Sequence, residues 1–322
     1  MKYLITGGAG FIGSHLTDAL LSRGDAVCIF DDLSTGSLRN LDQQSGNKNL
    51  TVTNGSILDF NGISEAMEGM DGCFHMAAAV GVEKILNDPI GSIKTNIHGT
   101  ENVLDAAVKC NVPILLASTS EVYGKNSTDL LNEESDRVLG SPLLFRWTYS
   151  EAKALDEAYA RALHEKSGLK VKIIRYFNTV GPRQSAAYGM VIPKFFEAAM
   201  KGLPLVIHGD GSQRRIFCHV KDAVKGTLAL WDSSFGDGEA FNLGGFEEIQ
   251  IIDLAKRIMT MTNAKSELQF IPYEILRSKG FEDMARRLPD ISKIEAVTGW
   301  RPQANIDDVL TDYFEYVRTV WS

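Results

Sequence analysis

The chain has 322 residues, 44% hydrophobic and 23% charged, with a formal net charge of −8. A chain this long and apolar can bury one large core plus a smaller lobe, and its charge content is globular rather than disordered. The acidic balance argues against a general nucleic-acid surface, which needs clustered Lys and Arg.

In chain order, the apolar pattern predicts a strand at 3–5, a helix at 11–23 ended by Gly24, and a second strand at 26–30. A weaker strand comes at 50–52, a fourth at 72–76, and a long helix at 90–109. Then come a strand at 113–117, a helix at 151–164 and a strand at 171–175. Strand and helix in alternation mean a parallel sheet covered on both faces, an α/β fold. Beyond about residue 180, Pro and Gly punctuate shorter elements, which reads as a smaller C-terminal α+β lobe over the open end of the sheet. The expected division is 1–178 and 179–322, with the two parts interleaved.

Cys28, Cys73, Cys110 and Cys218 form no C-x-x-C pair, so spacing argues against zinc and redox sites. Free cysteines suit a reducing cytosol. The opening residues read straight into a strand, and no apolar run is long enough to span a bilayer. The expectation is a soluble cytoplasmic protein without metal, nucleic-acid or membrane partners.

Between the first strand and helix stands Thr6-Gly7-Gly8-Ala9-Gly10-Phe11-Ile12-Gly13. Gly7, Gly10 and Gly13 permit a tight turn, close backbone approach to a pyrophosphate, and close helix–strand packing. The helix start at Phe11 and Ile12 faces the phosphates. Asp31 and Asp32 come after the second strand, where a carboxylate takes ribose hydroxyls and repels a 2′-phosphate. That favours NAD over NADP, with Ser34, Thr35 and Gly36 continuing a polar loop by the same ribose.

A polar cluster, 118–124 (STSEVYG), succeeds the buried strand ILLA at the end where open parallel sheets bind ligands. Tyr149 and Lys153 lie four apart on a helix and share a face. A neighbouring ammonium, with a positive nicotinamide, favours the phenolate and makes Tyr149 a base for a hydroxyl proton. Thr119 can bond the same oxygen.

The chain resembles the extended short-chain dehydrogenase/reductase family of sugar-nucleotide epimerases, dehydratases and decarboxylases. The matching motifs are TGGAGFIGSHL at 6–16, HMAA at 75–78, STSEVYG, Tyr149-x-x-x-Lys153, RYFNTVGPRQ at 175–184, GDGSQRRIFCHVKDAV at 209–224 and RRLPDISKIEAVTGWRP at 286–302. The resemblance implies a doubly wound Rossmann sheet, NAD as cofactor, a UDP-sugar substrate and a homodimer joined through four helices. It extends the cofactor site to Ser56, Ile57, Ala77, Ala78, Asn96 and Tyr176. It places Ser120, Asn178, Val191, Arg215 and Arg287 at the substrate, and Tyr149, Lys153, Thr119, Glu121 and Arg287 at the chemistry. Two departures stand out: Ser56 occupies the usual place of an adenine-facing acid, and Arg215-Ile216-Phe217 replaces Arg-Asp-Phe.

Within the family, C4 oxidation of the sugar is shared, and the groups beside the tyrosine decide the fate of the 4-keto sugar. The dehydratases carry Asp-Glu where this chain has Ser120-Glu121. Thr119-Ser120-Glu121, with Arg287-Leu288-Pro289 farther on, resembles the UDP-glucuronate decarboxylases. FRWTYSEAK and QSAAYGMVIP depart from them, which keeps a UDP-sugar 4-epimerase as the alternative. A dinucleotide sensor without activity would lack Tyr149 or Lys153. His75 reads as a core histidine, Trp147 as either pocket wall or packing, and Glu133, Glu134 and Asp136 as a solvated loop.

Overall fold

The computed structural model describes residues 1–186, 190–277 and 286–320. Residues 187–189, part of the divergent QSAAYGMVIP segment, lie outside the described residues.

The strands are β1 (Lys2–Thr6), β2 (Ala26–Asp31), β3 (Leu50–Asn54), β4 (Gly72–His75), β5 (Ile114–Thr119), β6 (Val171–Tyr176), β7 (Thr179–Val180), β8 (Leu205–His208), β9 (Arg214–Ile216), β10 (Cys218–His219), β11 (Ala240–Leu243), β12 (Glu248–Gln250), β13 (Leu268–Ile271) and β14 (Arg286–Arg287). The helices are α1 (Phe11–Ser22), α2 (Phe60–Met67), α3 (Val82–Asn87), α4 (Pro89–Lys94), α5 (Thr100–Cys110), α6 (Thr148–Ser167), α7 (Val191–Met200), α8 (Val220–Asp232), α9 (Ile251–Thr262), α10 (Tyr273–Arg277), α11 (Ser292–Thr298) and α12 (Ile306–Val320).

Seven parallel strands form the main sheet in the order β3-β2-β1-β4-β5-β6-β11. Alternation along β1 sends Tyr3 and Ile5 to one face and Leu4 to the other. The first face packs on Leu16 and Leu20 of α1 and Leu230 of α8. The second packs on Ile63 of α2, Val103 and Ala107 of α5, and Ala160 of α6. Burial on both faces explains why these strands read as short continuous apolar runs. The strand order reverses between β1 and β4, so a crevice opens at their carboxyl ends. Through β11 the chain returns to this sheet, past the division expected at 178 and 179.

The other lobe has its own core, in which Phe196 of α7, Ile207 of β8, Leu254 of α9 and Tyr313 of α12 meet. A small sheet, β12-β9-β14, holds Arg287 beside Arg215 in register. The helix expected over 90–109 is present as an unbroken run of α4, a π-helical turn at Thr95–Gly99 and α5. The widened turn directs Asn96 inward, where it is 2% exposed and its amide takes both backbone groups of Ala79, at 2.7 and 3.1 Å. Among the described residues no helix is long and apolar enough to cross a membrane.

Candidate active site

A cleft of about 390 Å³ lies at the carboxyl ends of the central strands. On one side it is walled by Gly7, Gly10, Phe11, Ile12 and Gly13, by Asp31, Asp32, Ser34 and Thr35, and by Ile57, Ala77 and Ala78. Gly7 has φ +70°, and a Cβ there would meet the Ala77 nitrogen at 2.6 Å. A Cβ on Gly13 would meet the Gly7 carbonyl oxygen at 2.2 Å. Both positions therefore require glycine. Gly10 caps α1 without a side-chain hydrogen bond, and this bare helix start borders the cleft.

Asp31 is 7% exposed and accepts the N–H groups of Ala9 at 2.9 Å and Leu33 at 2.8 Å. Burial pushes its carboxyl up, and those two amides pull it back. Its carboxylate thus anchors the glycine loop as well as bordering the cleft. This cradle fits a dinucleotide: a glycine turn at a helix start with a carboxylate on the second strand.

Several expected cofactor residues stand behind the cleft wall. Gly36 packs on Ala9 and Asp31; a Cβ there would lie 3.1 Å from the Asp31 Oδ1. Ser56 accepts the Leu58 N–H at 3.3 Å, and its neighbours Gly55 and Ile57 form the lining instead. Asn96 braces Ala79. Tyr176 does line the cleft, but its hydroxyl is bonded to Thr227 at 2.7 Å.

The other side gathers Thr119, Ser120, Glu121, Tyr149, Lys153, Asn178 and Arg287. Thr119 ends β5 and leads into a 3₁₀ turn over Ser120–Tyr123, with Thr119 Oγ1 accepting the Glu121 N–H at 3.2 Å. Tyr149 and Lys153 project from the first turns of α6. The Tyr149 hydroxyl is raised above its ordinary range by burial and by the charges of Glu121 and Asp156, while a hydrogen bond to Thr119 lowers it. The Lys153 ammonium is 3.2 Å from Asp156.

Glu121 lies between two guanidiniums. Arg287 Nη1 is 2.7 Å from its Oε1, and Arg146 Nη1 is 2.5 Å from its Oε2. Burial pushes the carboxyl up, but the two arginines outweigh it and hold Glu121 well below the usual carboxylate range. Arg287 Nη1 also donates to Ser120 Oγ at 3.1 Å. The Arg287 strand is held in place where Leu131 N–H donates to the Leu288 carbonyl and Asp290 N–H to the Leu131 carbonyl, both at 2.9 Å.

Arg146 is the residue that sequence reasoning missed. It is 5% exposed, in a 3₁₀ turn just ahead of α6, with its guanidinium 5.2 Å from the Trp147 ring centre. The available signal was its place three residues before Tyr149. Trp147 is fully buried packing and Arg146 forms the wall. Of the other expected substrate residues, one lines the cleft. Asn178 lines the cleft but donates to the Ile216 carbonyl at 2.8 Å. Met190, next to Val191, lines it, and Arg215 is the register partner of Arg287 on the adjacent strand. Glu133 is not a solvated loop acid, because it accepts the Asn242 N–H at 2.6 Å in a half-buried setting. His75 is fully buried, as expected of a core histidine. No metal-binding cluster occurs among the described residues, and the four cysteines are free.

A seven-stranded Rossmann sheet with a glycine cradle and a Tyr-x-x-x-Lys helix defines an extended short-chain dehydrogenase/reductase. The chain belongs to the GDP-mannose 4,6 dehydratase family, whose model matches residues 4–313. It is similar to the UDP-N-acetyl-alpha-D-glucosaminuronate decarboxylase of Bacillus cytotoxicus, at 38% identity over 99% of this chain and 98% of the relative. It is similar to UDP-glucuronic acid decarboxylase 1 of Danio rerio, at 34% identity over 98% of this chain and 72% of the relative. A solved UDP-glucuronic acid 4-epimerase from Bacillus cereus, in complex with UDP-glucuronic acid and NAD, superposes with a TM-score of 0.90 at 26% identity, covering 99% of this chain and 100% of that one.

Proposed function

We propose that the chain is an NAD-dependent decarboxylase of a UDP-uronate, with UDP-glucuronate giving UDP-xylose as the principal reading. The observation that carries it is the buried group Arg146–Glu121–Arg287. Its two guanidiniums flank one carboxylate, and all three side chains line the cleft. Arginine is the residue suited to bidentate recognition of a substrate carboxylate.

Tyr149 takes the C4 hydroxyl proton once the positive nicotinamide and the Lys153 ammonium offset the burial and the carboxylate charges that raise its hydroxyl, with Thr119 orienting the same oxygen. Bound NAD supplies the hydride acceptor at C4. The C6 carboxylate is then β to a carbonyl, so the C5–C6 bond breaks, its electron pair passes into the enolate, and carbon dioxide leaves. Arg146 and Arg287 hold that carboxylate, a proton is delivered to C5, and the hydride is returned to C4 while Tyr149 gives its proton back to the oxygen, so UDP-xylose forms with no net oxidation. Gly7, Gly10, Gly13 and Asp31 hold the cofactor. Glu121, fixed in its ionised form, is ill-suited to protonate a departing C6 hydroxyl, which weighs against a dehydratase. Likeness to two uronate decarboxylases supports the reading.

A uronate 4-epimerase is the second reading, because it too would bind a carboxylate and because one such enzyme shares the fold closely. We extend the proposal to a cytoplasmic homodimer joined by helices; Leu155 of α6, 53% exposed in the single chain, is the kind of residue such a joint would cover. The test is incubation with NAD and, separately, UDP-glucuronate, UDP-N-acetylglucosaminuronate and UDP-glucose, with products identified by NMR. A pentose product supports the proposal; six-carbon epimers alone would replace it with the second reading.

A further inference from the structure

A chain of buried polar groups runs behind the cleft from the cofactor loop to Lys153. Thr6, His75, Thr100, Asp156 and Lys153 are each at most 3% exposed. Lys153 Nζ is 3.2 Å from Asp156 Oδ2, which also accepts the Thr100 hydroxyl at 3.2 Å. Thr100 Oγ1 lies 3.2 Å from His75 Nε2, and His75 Nδ1 lies 2.6 Å from Thr6 Oγ1. Thr6 Oγ1 in turn accepts the Ala77 N–H at 3.4 Å.

The hydrogens in this chain have one consistent assignment. Thr100 gives its proton to Asp156, so it accepts from His75 Nε2–H. His75 Nδ1 is then bare and accepts from the Thr6 hydroxyl. Every donor points toward the Asp156 carboxylate, and the histidine is neutral. Burial, then the Lys153 charge, holds its imidazole well below the ordinary range, in keeping with that assignment.

We propose that Asp156 is a positioning residue that keeps Lys153 as a fixed ammonium beside Tyr149, and that the Thr6–His75–Thr100 chain keeps Asp156 ionised for that task. A buried ammonium without a counter-ion gives up its proton rather than stay charged. Asp156 supplies the counter-ion from one turn farther along α6. Burial pushes the Asp156 carboxyl up, the Lys153 charge and the Thr100 hydroxyl pull it back, and Glu157 on the same helix opposes them. The net result is a carboxyl raised to about 6, and the Thr100 hydrogen bond, oriented by the chain behind it, adds to the Lys153 charge in favouring the anion at neutral pH. The inference rests on Tyr149 and Lys153 acting as proposed, whichever product forms.

The test titrates Lys153 by NMR in NAD-loaded, lysine-labelled enzyme, its signal assigned by loss in Lys153→Arg. In Asp156→Asn the ammonium proton should be lost at a pH lower than in wild type by about 1 pH unit or more. Turnover at neutral pH should fall alongside. Asp156→Ser removes the same charge and carries the test should the Asn variant not fold. An unmoved titration, or full turnover despite a moved one, overturns the inference. Absence of decarboxylation by the wild-type enzyme would sink the proposed function but leave the titration to decide the role of Asp156.

Discussion

Arg287 reaches across from the small lobe and donates to Glu121 at 2.7 Å, 166 residues away in the chain. With Arg146 on the other carboxylate oxygen, this contact joins the two lobes at the place where a uronate would lose its carboxylate. Glu121→Gln removes the carboxylate that both buried guanidiniums face. Breaking a buried pair from one side costs about 3–5 kcal/mol, so chemical denaturation should show a clear loss of stability. The surviving folded enzyme should build up the 4-keto sugar and form little pentose, as seen by NMR.

Arg146→Met should raise KM for the UDP-uronate by roughly tenfold or more, as expected for loss of a charge-assisted contact worth about 1.5–3 kcal/mol. NAD affinity should stay unchanged. Steady-state kinetics and calorimetry with NAD separate the two effects. An unchanged KM would remove Arg146 from the carboxylate site.

Tyr149→Phe should lower turnover by roughly 10²–10⁴-fold, the usual contribution of a positioned acid/base. The fold and NAD binding should persist, because the Tyr149 hydroxyl bonds Thr119 and not the glycine cradle. Near-wild-type turnover would assign the base elsewhere.

Much of this was legible in the sequence because it is local. The glycine turn, the acid after the second strand and the Tyr149/Lys153 spacing are each set within a few residues, so their placement comes from one strand–helix unit. The Arg146–Glu121–Arg287 group was only half legible. Arg287 could be matched to a motif, but Arg146 meets Glu121 only because the 3₁₀ turn before α6 folds against the end of β5. The bracing of Ala79 by Asn96 was not legible, because a π-helical turn cannot be read from apolar spacing. Glu133 looked like a surface acid because its partner, the Asn242 amide, comes 109 residues later.

Asp31→Ala should weaken NAD binding and relax discrimination against NADP. It removes the carboxylate that borders the cleft and also frees the Ala9 and Leu33 amides that hold the glycine loop. The effect on NAD should therefore exceed that of losing a ribose contact alone. Calorimetry with both dinucleotides checks it; equal affinities for NAD in wild type and variant would contradict it.

The depressed Glu121 carboxyl sets a pH dependence of stability. Its folded-state pKa lies below the unfolded value of about 4.3, so the stabilisation it provides is fully present above that pH. It is lost as the pH falls below about 4.3 toward the folded value. In Glu121→Gln this component is absent, so the fall in Tm between neutral and acid pH should be shallower than in wild type.

The most direct measurement is carbon dioxide release from UDP-glucuronate labelled at C6, with NAD-loaded enzyme. The account predicts labelled carbon dioxide in equal amount to UDP-xylose, with both lost in Tyr149→Phe. Full conversion to UDP-galacturonate with the label retained would contradict it.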